Sequence, residues 1–143
     1  MKNIIIIFLS VIMLTACELE RSNNGKLDGN WKLTELDTLA SSTTADMQSS
    51  GIFWAVQHHL LEIKNLNDME KNTFFRFEQT DATLRLWNPI SDNKLISDSV
   101  VTSPETLRPL GILHLDETLA IEQLSSSKMT LRNEKYRFHF KKF

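Results

Sequence analysis

The sequence predicts an all-β domain: an antiparallel up-and-down barrel of eight or nine strands with one short helical turn. Three observations predict it. Apolar residues recur with period two in several short runs, the spacing of a strand with one buried face. Most of these runs are separated by a few polar residues, as in hairpins. A meander of hairpins leaves exposed edges as a flat sheet and removes them by closing. Four glycines and three prolines in 143 residues are too few for a disordered or fibrous chain.

The chain starts with Lys2, an apolar stretch from Ile4 to Leu14, and then Thr15, Ala16 and Cys17. This is the layout of a secretory signal with small residues before a cut site. The apolar stretch is too short to span a bilayer, which takes about 20 helical residues. Cys17 is the only cysteine, so no internal disulfide can form. "LTAC" resembles the bacterial lipobox, which implies that the Cys17 sulfur is acylated, as with palmitate, and heads the mature chain. Residues 1–16 are then the lipoprotein signal peptide and residues 17–26 a polar, lipidated tether. Residues 27–143 form the barrel domain. Removing the signal takes away one lysine and leaves a mildly acidic domain. It has no Lys/Arg run and no reason to bind nucleic acid.

The strands follow in order. In "NWKLTEL" (30–36), Trp31, Leu33 and Glu35 alternate with Lys32, Thr34 and Leu36. Residues 38–51, rich in Ser and Thr, read as a long loop, functional or disordered. Residues 52–64, "IFWAVQHHLLEIK", fit a helix stripe or a strand face, and the aromatic and branched residues favour strand. In "FFRFEQTDATLRLW", a turn near Thr80 and Asp81 pairs Phe77 with Leu84 and Phe75 with Leu86. That register sets Arg76 opposite Arg85. Residues 94–101 read as a weaker strand, 104–109 as a helical turn and "GILHL" (111–115) as a strand. Leu119 and Ile121 alternate in 118–124, which leads through "SSS" into a strand at Met129. In the tail, Leu131 pairs with Tyr136 and Met129 with Phe138. Asn133 is the residue suited to an unusual turn dihedral.

With these strands placed, "LDGNWKLTEL" resembles the lipocalin Gly-x-Trp opening, here Gly29 and Trp31. The lipobox, the aromatic strand at 52–63, "RPLGI" at 108–112 and "IEQLSSSKMTLRNEKYRFHFKK" at 121–142 are similar, in that order, to lipocalin-like lipoproteins of Bacteroides-type bacteria. The resemblance implies a lipocalin-like β-barrel in which the Trp closes one end. It also implies that a basic residue of the last strand, Arg137 or Lys141, packs over that Trp. It implies no assigned activity.

The motifs of catalysis are missing. There is no HExxH, no phosphate loop and no serine elbow. In a strand, His58 and His59 point to opposite faces and cannot easily grip one metal. His114 and His139 have no carboxylate at motif spacing. The protein is therefore expected to be no enzyme, with no cofactor and no metal. Arg76 and Arg85 face solvent in one reading. In another, with Trp87, they line the cavity and hold a carboxylate. Trp54 and Trp87 are either core or ligand-facing. Two functions stay open. One is an envelope lipoprotein of the outer membrane that binds a small hydrophobic ligand through Trp54, Arg76, Arg85 and Trp87. The other is a structural or interaction protein with a filled barrel and an envelope protein partner.

Overall fold

The computed structural model describes residues 22–67, 71–93 and 98–143. The signal peptide and Cys17 lie outside them. Ten strands form one antiparallel sheet: β1 (Gly29–Thr38), β2 (Thr43–Asp46), β3 (Ile52–Gln57), β4 (Leu60–Asn65) and β5 (Lys71–Gln79) come first. β6 (Thr83–Asn93), β7 (Ser99–Val100), β8 (Glu117–Leu124), β9 (Lys128–Arg132) and β10 (Tyr136–Lys142) follow. Neighbours run β10-β9-β8-β6-β5-β4-β3-β1, and β10 pairs back onto β1, so eight strands close a barrel. β2 and β7 are extra strands, on β1 and β6.

Alternation builds the core. Trp31 and Leu33 of β1, Ile52, Trp54 and Val56 of β3, and Leu61 and Ile63 of β4 point inward and are buried. Phe75, Leu84, Leu86, Leu119, Met129, Leu131, Phe138 and Phe140 complete the lining. Three bulges keep the apolar face inward where the sequence slips out of phase. One lies between Leu33 and Glu35, so Leu36 packs on the core and Glu35 is exposed. Another sets Asn88 and Pro89 against Phe75. Pro89 has no N–H for the ladder, and Asn88 takes φ 52°. The third lies between Ile121 and Gln123 and returns Leu124 to the core side.

Several expectations change. Residues 52–64 are not one element but a hairpin, and His58, at φ 53°, turns the chain. Part of the Ser/Thr-rich stretch is strand β2, which pairs Asp46 with Glu35 through Thr43 with Thr38. Both predicted hairpin registers are two residues off. Phe77 faces Leu86 and Gln79 faces Leu84, because the turn is tightened by Thr80 and Thr83, whose hydroxyls are 2.7 Å apart. Arg85 thus lies opposite Glu78, not Arg76, and two like charges are kept from facing each other. In the tail, Leu131 faces Phe138 and Met129 faces Phe140. Asn133 takes no positive φ. Its side-chain oxygen accepts from the N–H groups of Lys135 (3.0 Å) and Tyr136 (2.8 Å), which makes the turn. Of residues 94–101, only Ser99–Val100 is described as strand. Residues 104–109 hold two 3-10 turns, Pro104–Thr106 and Arg108–Leu110, and "GILHL" is no strand.

One end of the barrel is shut by the 3-10 turn Gly25–Leu27. The Trp31 indole N–H donates to the Leu27 carbonyl at 2.8 Å. Within the stretch read as tether, Ser22 accepts from the His58 N–H at 2.8 Å and Asn24 donates to the His58 carbonyl at 2.8 Å. The basic partner of Trp31 is Lys142, whose Nζ lies 4.8 Å from the ring centroid. Arg137 and Lys141 cannot serve. Trp31 points inward, whereas they alternate with Phe138 and Phe140 and point out. Gly29 sits at φ 120°, and a Cβ there would come within 2.9 Å of the Lys142 side chain. The Lys142 stem could yield to a Cβ, so it is the positive φ that favours glycine here.

Candidate functional site at the barrel mouth

The opposite end carries the exit of β1 and β6 and the β9–β10 turn. A strap made of residues 101–116 crosses it. Two prolines and two 3-10 turns deny the strap a strand's hydrogen-bonding pattern, and it runs over the opening as irregular chain. Its side chains Val101, Leu107 and Ile112 join the interior cluster. Gly111, at φ 80°, brings the backbone down onto Phe138, where a Cβ would meet the ring at 2.8 Å. Two buried polar side chains, Asn133 and Glu117, hold the strap from within. Asn133 Nδ2 donates to the Gly111 carbonyl at 2.9 Å. The Leu113 N–H donates to both oxygens of Glu117, at 3.2 and 3.3 Å.

Glu117 is 3 % exposed, a carboxylate where the pattern of β8 calls for an apolar side chain. Burial raises its pKa, and the Leu113 N–H, His114 and Asn133 only partly oppose that. The Gly-x-Trp and hairpin motifs gave no sign of this group. Its signal in the sequence is a glutamate in phase with Leu119 and Ile121.

Beneath the strap the described side chains fill the interior. A ligand cavity would leave accessible surface on the side chains around it, yet Trp31, Trp54, Leu61, Leu84, Leu86, Leu119 and Leu131 have 0 %. Trp54 packs between Phe138 and Phe140, with ring centroids at 5.7 and 4.9 Å. Its indole N–H is buried without an acceptor.

Outside the strap lies an open pocket of about 280 Å³, lined by Arg108, Leu113, His114, Glu134, Lys135 and Tyr136. Its walls come from the strap and the β9–β10 turn. Leu113 and the Tyr136 ring supply apolar surface. Lys135 Nζ stands 5.2 Å from the Tyr136 centroid, and His114 Nε2 is 2.8 Å from Glu134. Arg108 pairs with Glu105 at 3.0 Å. Three basic side chains therefore surround a small apolar floor, with Glu134 the one acid in the lining.

Three of the four residues read as ligand-facing lie together, but on the outer wall and not in a cavity, and the fourth is apart from them. Trp54 is inside. Arg76 is exposed on the outer wall, opposite Leu60 and Trp87. Arg85 and Trp87 are also on the outer wall, with the guanidinium 4.7 Å from the Trp87 centroid. Arg85 donates to both oxygens of Asp116, at 2.9 and 2.7 Å. The pair depresses the Asp116 pKa and raises that of Arg85 through the shared hydrogen bonds. One more histidine–carboxylate contact joins distant parts of the chain. His139 Nε2 lies 2.8 Å from Asp37, which holds the Asp37 pKa down together with the Thr44 hydroxyl. Arg137 bonds Glu122 on the same wall. Among the described residues no cluster of His, Cys, Asp and Glu could hold a metal, and no helix is long and apolar enough to cross a membrane.

Comparison with known proteins gives a consistent result. A family model described as a lipocalin-like domain matches residues 12–143. No curated protein matches the chain. A lipocalin-like protein from Bacteroides uniformis superposes with a TM-score of 0.61 at 20 % identity, over 83 % of this chain and 100 % of that one. An uncharacterized protein from Bacteroides eggerthii gives 0.59 at 15 % identity, over 81 % and 98 %. A protein from Burkholderia xenovorans gives 0.52 at 13 % identity, over 90 % and 93 %. At these identities the likeness is one of fold.

Proposed function

Because the chain belongs to the lipocalin-like domain family, we propose that it works by binding. It is a lipoprotein of the bacterial envelope, held at the outer membrane through acylated Cys17. It takes a small amphipathic ligand at the mouth of its barrel rather than in the interior. The pocket formed by the strap and the β9–β10 turn carries this reading: an apolar floor of Leu113 and Tyr136 beneath Arg108, His114 and Lys135. Its volume, about 280 Å³, falls at the lower edge of ligand sites, which usually run from about 300 Å³ upward, so it suits only a small molecule. Lys135, in no ion pair among the described residues, with Arg108 able to exchange Glu105 for a ligand, suits a carboxylate or another small anion with a short apolar body.

A titration of amide shifts with butyrate, octanoate and phenylacetate tests the proposal. Saturable shifts at Leu113, His114, Lys135 and Tyr136 are expected. The double variant Arg108→Ala, Lys135→Ala weakens binding roughly ten- to a hundredfold, the worth of a charge-assisted hydrogen bond. No saturable response to any of these acids sinks it. Intact-mass measurement of the mature chain tests acylation separately, since a bare Cys17 thiol ends the anchoring claim alone.

A second reading has its own support. Seven interior side chains without accessible surface describe a barrel filled by its own residues, as small barrels often are. The protein then acts through its outside, on an envelope protein. Recovery of one stoichiometric partner after cross-linking in cells, with no ligand response at the mouth, selects this reading.

A further inference from the structure

One feature of the outer wall is unexplained by folding. Strand pairing aligns Lys128, Lys141, Lys32, Phe53 and Lys64 in a single row across β9, β10, β1, β3 and β4. Each alternates with a buried neighbour, so all five side chains project outward. Facing strands bring such side chains to about 5 Å, where like charges repel. Lys64 is neutralised by Glu62 at 3.2 Å. Lys32, Lys128 and Lys141 take part in no ion pair among the described residues. Beside Lys128 and Lys141 runs an open groove of about 430 Å³, floored by Thr34, Thr130 and His139, with Glu35 its one acid. Beside the row Phe143 is 84 % exposed and stands edge-on to Phe53, with centroids 5.6 Å apart.

We infer that this wall is the face the protein lays on a membrane carrying anionic phosphate headgroups. The inference rests on acylation of Cys17 and goes beyond it, since a lipid anchor alone leaves the barrel free to tumble. Charge complementarity names the occupant: three uncompensated lysines in a line, on a chain whose formal charge is −2. An acidic body is repelled by an anionic surface unless a basic patch such as this row is turned toward it. Phe143 adds an exposed aromatic ring, the kind of side chain that favours the membrane interface. Tether length permits the pose. Ser22 is fixed to the His58 turn, five residues from Phe53, a distance of about 17 Å along the strand. Cys17 precedes Ser22 by five residues and can reach about as far. The barrel can therefore tip onto this flank without unfolding its first turn.

The acylated mature chain, isotope-labelled and inserted in nanodiscs with spin-labelled headgroups, tests the pose. One disc is phosphatidylcholine; the other is an equal mixture with phosphatidylglycerol. In the mixed disc, amides of Lys32, Phe53, Lys128 and Lys141 broaden while those of the Arg85 wall stay sharp. The pattern fades in phosphatidylcholine, at high salt, and in the triple variant Lys32→Gln, Lys128→Gln, Lys141→Gln. Equal broadening in both discs, or broadening centred elsewhere, overturns the inference. The salt series needs no variant, so misfolding cannot mimic the result. A mature chain found bare at Cys17 overturns the anchor alone. Co-sedimentation of that chain with mixed vesicles then still reads the row. The triple variant is expected to lower partitioning about a hundredfold, roughly fivefold per lysine. An unchanged partition overturns the row.

Discussion

Gly111→Ala tests whether the strap is a true closure of the barrel. Two costs add. An alanine held at φ 80° suffers left-handed strain of about 1–2 kcal/mol. Its methyl would sit 2.8 Å from Cε1 and Cζ of Phe138. Ordinary carbon contacts are about 3.5–4.0 Å, and forcing an extra methyl into a packed core costs about 1–3 kcal/mol. The variant should lose about 2–5 kcal/mol in urea titration, a large part of the ~5–15 kcal/mol that holds a typical domain. The two costs are separable. Phe138→Leu removes the ring edge and costs on its own because Phe138 is buried. In the double variant the overlap is gone and the strain remains. The cycle should therefore show a coupling of about 1–3 kcal/mol. Additive effects would mean that Gly111 does not press on Phe138, and the strap as described would be wrong.

Other perturbations report on single contacts. Burial raises the Glu117 pKa, so its contribution is fullest below the unfolded glutamate value near 4.3 and is lost as pH rises through the folded one. Glu117→Gln keeps an acceptor for the Leu113 N–H. It should raise stability at neutral pH and flatten that part of the pH–stability curve. Asp37 behaves in the opposite sense. Its pKa is lowered by His139 and Thr44, so its contribution is present above about 3.9 and disappears as pH falls through the folded value. Asp37→Asn should remove that acid-side slope in thermal melts between neutral pH and pH 3. Lys142→Met keeps the stem and deletes the charge over Trp31. It should cost about 0.5–1 kcal/mol in urea, and no loss would remove the cation–π contact from the account.

The sequence carried the strand faces well and the registers poorly, for one physical reason. Side chains alternate with period two, so a slip of two residues leaves every apolar residue on the same face. Phe77 can face Leu84 or Leu86, and Leu131 can face Tyr136 or Phe138, with no change in pattern. Turn chemistry decides, through the Thr80–Thr83 hydroxyl contact and the Asn133 side-chain oxygen. Lys142 over Trp31 was missed in favour of Arg137 or Lys141, although only residues in phase with Phe138 and Phe140 can reach an inward tryptophan. The strap was not legible. Leu107 stands alone between Thr106 and Arg108, and Ile112 lies in "GILHL", whose alternation reads as a strand and not as a strap. The lysine row was hidden for a further reason: it exists only through pairings among strands far apart in sequence.

The filled interior and the strap together decide where a ligand can go. To admit one, the strap must lift, exposing Val101, Leu107 and Ile112. At about 1.5–3 kcal/mol each, that costs roughly 5–9 kcal/mol. An acyl chain regains about 0.8 kcal/mol per methylene, so some 6–11 methylenes are needed to break even. The pocket over Leu113 and Tyr136 demands no such opening. Short acids should therefore bind at the mouth with an affinity that stops improving once the small floor is covered. Long-chain acids, if they bind more tightly, must shift the amides of Leu107 and Ile112 and expose them to hydrogen exchange. A chain-length series read by both shifts and exchange separates the cases. Affinity climbing smoothly from the shortest acid, with Leu107 and Ile112 still protected, would refute the claim that the strap closes the barrel.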